Sequence, residues 1–96
     1  MLKHVVLMKF KPGAGEERIG ELEKGLAGLP GAIAEVKSFE FGRDAFHSAR
    51  SYDLALVADF EDLEAMKRYQ VHPSHQAVVK IVLEVTESVV VVDFEH

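Results

Sequence analysis

Residues 69–79 read Tyr69-Gln-Val-His72-Pro73-Ser-His75-Gln-Ala-Val78-Val79. Proline suits the first turn of a helix, where its missing N–H costs nothing, and it biases the residue before it towards extended geometry. Pro73 therefore separates two helices. The second runs from Pro73 to about Val82 with Val78, Ile81 and Val82 inward. The first starts at Asp62, a good N-cap, and brings Leu63, Met66 and Tyr69 to one face.

Apolar, β-branched runs flank this helix pair. Tyr52–Phe60 precedes it, with Leu54, Leu56, Ala58 and Phe60 on one face and Ala55 and Val57 on the other. Glu87–Phe94 follows it, with Val89 and Val91 on one face and Val90, Val92 and Phe94 on the other. The first half mirrors this plan. His4–Lys11 is a strand carrying His4, Val6, Met8 and Phe10 on one side and Val5, Leu7, Lys9 and Lys11 on the other. After the turn Pro12–Gly15, Glu16–Leu29 is an amphipathic helix with Ile19, Leu22, Leu26 and Leu29 inward. Glu16 and Glu17 suit its positive start, and Pro30-Gly31 is expected to end it. Gly20, Gly25 and Gly28 weaken it and read as tolerated positions, the alternative being a glycine seam that lets another element pack closely. Val36–Phe41 is a second strand, followed by a polar loop, Gly42–Ser51, that contains Phe46 and His47 and reads as a connector or a pocket cover. The order strand, helix, strand, strand, helix pair, strand is the split βαβ arrangement of a ferredoxin-like α+β unit, with a four-stranded antiparallel sheet and helices on one side.

Composition narrows the function. A chain of 96 residues is expected to form one domain, spanning 1–96, with a single two-layer core. At 48% hydrophobic it can bury such a core, and a net charge of −5 argues against nucleic acid or an anionic membrane as partner. With no cysteine there is no disulfide framework, thiol nucleophile or thiolate metal site. No apolar run approaches membrane-spanning length and no signal segment stands at Met1, so a soluble cytoplasmic protein is expected.

The strands carry a further message. The first, third and fourth are apolar on both faces in their middles, whereas a solvated antiparallel face alternates with polar residues. Helices on one side leave the other face bare, a larger apolar patch than monomers expose. A second copy packing on that face with two-fold symmetry resolves this, and a homodimer is expected. Such a dimer can also enclose a cavity for a small apolar or aromatic ligand.

Four segments in order, Lys3-His4-Val5-Val6 with Lys9-Phe10-Lys11, Tyr52–Val57 with Phe60-Glu61, Tyr69–His75, and Val89–Phe94, make the whole chain resemble the stress-responsive A/B barrel (Dabb) domain family. The resemblance implies a dimeric α/β barrel in which two ferredoxin-like units join their sheets around an apolar interior. One plant member of that family closes the ring of a linear polyketide by aldol condensation without a metal or organic cofactor. Its catalytic histidine falls on His75, and an assisting tyrosine and N-terminal histidine fall on Tyr69 and His4. The resemblance thus implies His75, Tyr69 and His4 as catalytic candidates and no cofactor.

The residues support this chemistry in outline. His75 near a helix start meets the positive end of the dipole, which favours the neutral imidazole that a general base requires. The Tyr69 hydroxyl can stabilise an enolate oxygen. His4 shares a strand face with Val6 and Met8 and either lines the cavity or sits at its rim. His75 also has a plainer reading, bonding a backbone carbonyl and locking the helix junction. His72 reads as structural, since the X-Pro junction explains its position. A His4–His72–His75 metal site and a heme site rank below both the binding and the enzyme readings. Asp93 and the tail Glu95-His96 read as solvated ends.

Overall fold

The computed structural model describes residues 1–96. The elements are β1 (Leu2–Phe10), α1 (Glu16–Ala32), β2 (Ser38–Arg43), β3 (Leu54–Phe60), α2 (Leu63–Val71), α3 (Pro73–Val85) and β4 (Thr86–Glu95). The strands form one four-stranded sheet in the order β2-β3-β1-β4, every neighbouring pair antiparallel. This is the ferredoxin-like fold. No helix is long and apolar enough to cross a membrane.

The period-2 pattern of the strands sorts their side chains. Leu2, His4, Val6 and Met8 of β1 and Leu54, Leu56, Ala58 and Phe60 of β3 point under the helices and are buried. Leu22, Leu26 and Leu29 of α1, Ala65, Met66 and Tyr69 of α2, and Val78 and Val85 of α3 close the core from above. On the other face β1 presents Val5 and Leu7, which lie opposite Val57 and Ala55 of β3 and Val92 and Val90 of β4. No element covers these residues. Leu7 is 38% exposed, Val92 62% and Phe94 46%.

Several boundaries differ from the sequence expectation. α1 does not stop at Pro30-Gly31 but continues to Ala32 with Pro30 inside its last turn. So close to the end, proline removes one main-chain bond only. Ile33, 1% exposed, pulls the final turn onto the core and donates its N–H to the Leu29 carbonyl at 2.9 Å. β2 is displaced two residues towards Arg43 because Val36 is held in a turn, its N–H on the Ile33 carbonyl at 3.2 Å. α3 runs three residues beyond Val82 and passes into β4 without a loop. Thr86 caps that junction with its hydroxyl on the Val82 carbonyl at 2.7 Å. Asp62 caps α2 as expected, accepting from the Ala65 N–H at 2.8 Å. Leu63 does not share the buried face of Met66 and Tyr69. As the first residue of α2 it borders a groove with Glu61, Glu64 and Glu95 and is 45% exposed.

Candidate functional site

The helical layer covers β1 and β3 but stops short of β4. Val89 and Val91, on the helix side of β4, are 40% and 48% exposed although their neighbours on β1 are buried. Between this uncovered strand and α3 lies a cleft of about 270 Å³. Twelve of its fifteen lining residues are hydrophobic: Val6 and Met8 form part of the floor, Leu26 and Leu29 of α1 contribute to the wall, and Val78, Val79, Val82 and Leu83 line the α3 side. The remaining three are His4, Gln70 and His75.

Each polar group reaches the cleft for a local reason. His4 is on β1 in phase with Val6 and Met8, so alternation turns it under the helices, where it is 6% exposed. Tyr69 lies near the end of α2 and is 2% exposed. The Pro73 break then redirects the chain. His72 has extended geometry and accepts the Ser74 N–H on its Nδ1 at 3.0 Å, capping α3. His75 follows in the first turn, and its Nδ1 donates to the Gln70 carbonyl at 3.0 Å. The three candidate residues come together. The His75 and Tyr69 ring centroids are 4.5 Å apart, those of Tyr69 and His4 6.3 Å, and Phe60 packs on the far side of Tyr69 at 4.8 Å. His72 stays at the helix cap and does not line the cleft, so the three histidines do not gather into one ligand set.

Protonation follows from these contacts. Burial holds the His75 pKa below the usual histidine value of 6.5; the Gln70 carbonyl pulls the other way and nearby His4 adds to the lowering. His75 is therefore neutral at pH 7. Because Nδ1 carries the proton given to Gln70, Nε2 carries the lone pair. Burial pushes the Tyr69 hydroxyl up to about 12, so it remains a donor throughout the neutral range. That hydroxyl takes no partner from the chain, and no sealed-in side-chain polar atom is left unsatisfied, so it opens on the cleft.

The sequence reading missed Asp93. It lies directly across from His4 in the β1–β4 register, and its carboxylate accepts a hydrogen bond from His4 Nδ1. Asp93 is exposed, as expected of a strand end, but it keeps the alternation of Val89 and Val91 and so faces the cleft side, where it pairs with His4. That phase was the available signal. The tail is paired as well, with His96 Nε2 on Asp59 Oδ1 at 2.9 Å. The loop after β2 takes no part in the cleft. Phe46 is 84% exposed, and His47 adopts φ 57°, its N–H on the Asp44 carboxylate at 2.6 Å.

A ferredoxin-like unit with one bare apolar sheet face and an imidazole–phenol cluster at the end of an apolar cleft defines the class. A solved dimeric ferredoxin-like protein of unknown function from Thermobifida fusca superposes with a TM-score of 0.90 at 30% identity, over 99% of this chain and 90% of that one. The profile of the Stress responsive A/B Barrel Domain matches residues 2–96, and the chain belongs to that family. The stress-response A/B barrel domain-containing protein HS1 of Arabidopsis thaliana is 35% identical over 96 residues, covering 98% of this chain and 88% of the relative. Olivetolic acid cyclase of Cannabis sativa is 24% identical over 95 residues, covering 97% and 94%.

Proposed function

We propose that the protein is a homodimer, joined through the bare sheet face, whose cleft binds a small organic molecule with an apolar or aromatic body and an oxygen-bearing head. The observation that supports this best is the division of the cleft: hydrophobic walls along most of its length, and His4, Tyr69 and His75 together at one end. Binding pockets combine an apolar lining with a few convergent polar groups in this manner. The Tyr69 hydroxyl donates to the ligand oxygen, and His75 Nε2 accepts from a ligand O–H. The dimeric structural relative supports the assembly. The test is calorimetric titration with para-ethylphenol. Wild type binds; His75→Ala and Tyr69→Phe each bind about tenfold more weakly, the loss of one buried hydrogen bond. Equal affinity for all three proteins contradicts the reading.

A second reading has its own observation. His75 is neutral, with its tautomer set by Gln70, and lies beside a protonated phenol. That pair suits proton abstraction from carbon next to a carbonyl. Nε2 takes the proton, the C–H pair becomes the enolate, and Tyr69 donates to the enolate oxygen. Asp93 holds the His4 ring that packs edge-on to Tyr69. The similarity to olivetolic acid cyclase points the same way. Exchange of the acidic methylene protons of an aryl β-diketone into deuterated water, catalysed by wild type and lost in His75→Gln, supports this reading; the same rate in both proteins removes it.

A further inference from the structure

Of seven glycines, six have open space where a side chain would start. Gly25 does not. A Cβ placed there stands 3.0 Å from Val78 Cγ2 and 3.8 Å from Val78 Cγ1. The first distance is well inside ordinary carbon–carbon contact. Gly25 sits in the interior of α1, where glycine weakens a helix, and of the two readings of this glycine the close-packing one fits the contact. Its lack of a side chain is what lets α3 lie so close.

Val78 stands between this contact and the cleft. It is buried against α1 and also lines the cleft, as do Leu26 and Leu29 of α1. It follows His75 by three residues, about one helical turn along α3. A ligand whose head meets His75 and Tyr69 therefore runs its apolar tail along the wall that Val78 lines. A methyl group added at position 25 requires Val78 to give by a few tenths of an ångström, and the space beside Val78 away from α1 is the cleft it lines. The cleft is small, about 270 Å³, near the lower end of the roughly 300–1,000 Å³ typical of ligand pockets.

We propose that Gly25 is a specificity-determining residue: by leaving Val78 room to lie back against α1, it sets how long an apolar tail the cleft accepts behind the polar head. This rests on the reading of the cleft as a ligand site. Gly25 touches no ligand and acts through Val78.

The test is a series of para-alkylphenols with straight tails from methyl to octyl, titrated calorimetrically against wild type, Gly25→Ala, Gly25→Ala/Val78→Ala and Gly28→Ala. Gly28 is on the same helix with nothing within 4 Å of its added Cβ, which makes it the control. In wild type, affinity rises about fourfold per methylene until the tail fills the cleft. In Gly25→Ala the short tails bind as in wild type, while the longest bind about tenfold more weakly, equivalent to one or two methylenes left unburied. The double variant regains the long tails, and Gly28→Ala follows wild type. Alanine favours the helix, and an unchanged or raised melting temperature shows that Gly25→Ala is folded. Affinity for Gly25→Ala that tracks wild type at every length, or falls equally at every length, overturns the proposal. If wild type binds no member of the series, the cleft reading itself fails and the proposal falls with it.

Discussion

The two faces of the sheet are built from alternate residues of the same strands and have opposite fates. Val6 and Val5 are chain neighbours. Val6 points under the helices among Met8, Leu56 and Leu26. Val5 points away from them, between Val57 and Val92, on a face that the protomer leaves bare. The covered face is closed over β1 and β3 and open beside β4, and the cleft lies at that boundary. The bare face is apolar across three strands and edged by polar groups. Tyr52, bonded to Ser88 at 3.1 Å, stands at one end. Lys3, Ser38 and His96 gather around Asp59 at the other. Both faces are apolar, yet one is used for folding and, at its open end, forms the cleft proposed to take a ligand, while the other is suited to a second copy.

The largest expected effects separate these roles at adjacent residues. Val6→Asp places a carboxylate with no partner in the buried layer under the helices, at the apolar floor of the cleft, a cost of several kcal/mol that is a large fraction of a small domain's stability. The variant is expected to lose its cooperative melting transition in circular dichroism. Val5→Asp is expected to keep the fold and lose the dimer, with at least about a hundredfold weaker association in analytical ultracentrifugation, since an unpaired charge in an apolar interface costs about 3 kcal/mol or more. A folded Val5→Asp dimer of wild-type affinity breaks the comparison.

A smaller effect concerns pH. The folded state holds His75 below its ordinary 6.5, so folding favours the neutral ring. Its contribution to stability is complete above the unfolded value and is lost as pH falls through the window between 6.5 and the lower folded value. Melting temperature is therefore expected to fall on acidification below 6.5, and His75→Gln to flatten that part of the profile. An identical acid limb in the variant removes His75 as its source. Smallest is the surface. Arg43 bridges Glu16 at 2.6 Å and Glu23 at 2.8 Å, tying β2 to α1. These groups are exposed, so Arg43→Ala is expected to cost less than about 1 kcal/mol in denaturant unfolding.

The strands, the helix break and the bare face were readable in the sequence because each rests on a local period or on a single residue with a strong backbone preference. Pro73 divides the helices whatever surrounds it. Pro30 shows the limit of the same rule: its effect depends on the residues after it, and the burial of Ile33 carries the helix past it. The gathering of His4, Tyr69 and His75 was legible through family resemblance, whereas the pairing of Asp93 was not, and for Gly25 only the general possibility of close packing along α1 was. A cross-strand register joins His4 to Asp93, and helix packing joins Gly25 to Val78. Neither relation leaves a mark in local spacing, although the phase of Asp93 with Val89 and Val91 was there to be read.

A paired apolar face and an occupied cleft are the two central claims, and one native mass spectrum with para-pentylphenol addresses both. The expected result is a dimer at twice 10.7 kDa, carrying up to one phenol per subunit, with Tyr69→Phe retaining the dimer but less of the ligand. A monomer would contradict the assignment of the bare face, and a dimer that never carries the phenol would contradict the assignment of the cleft.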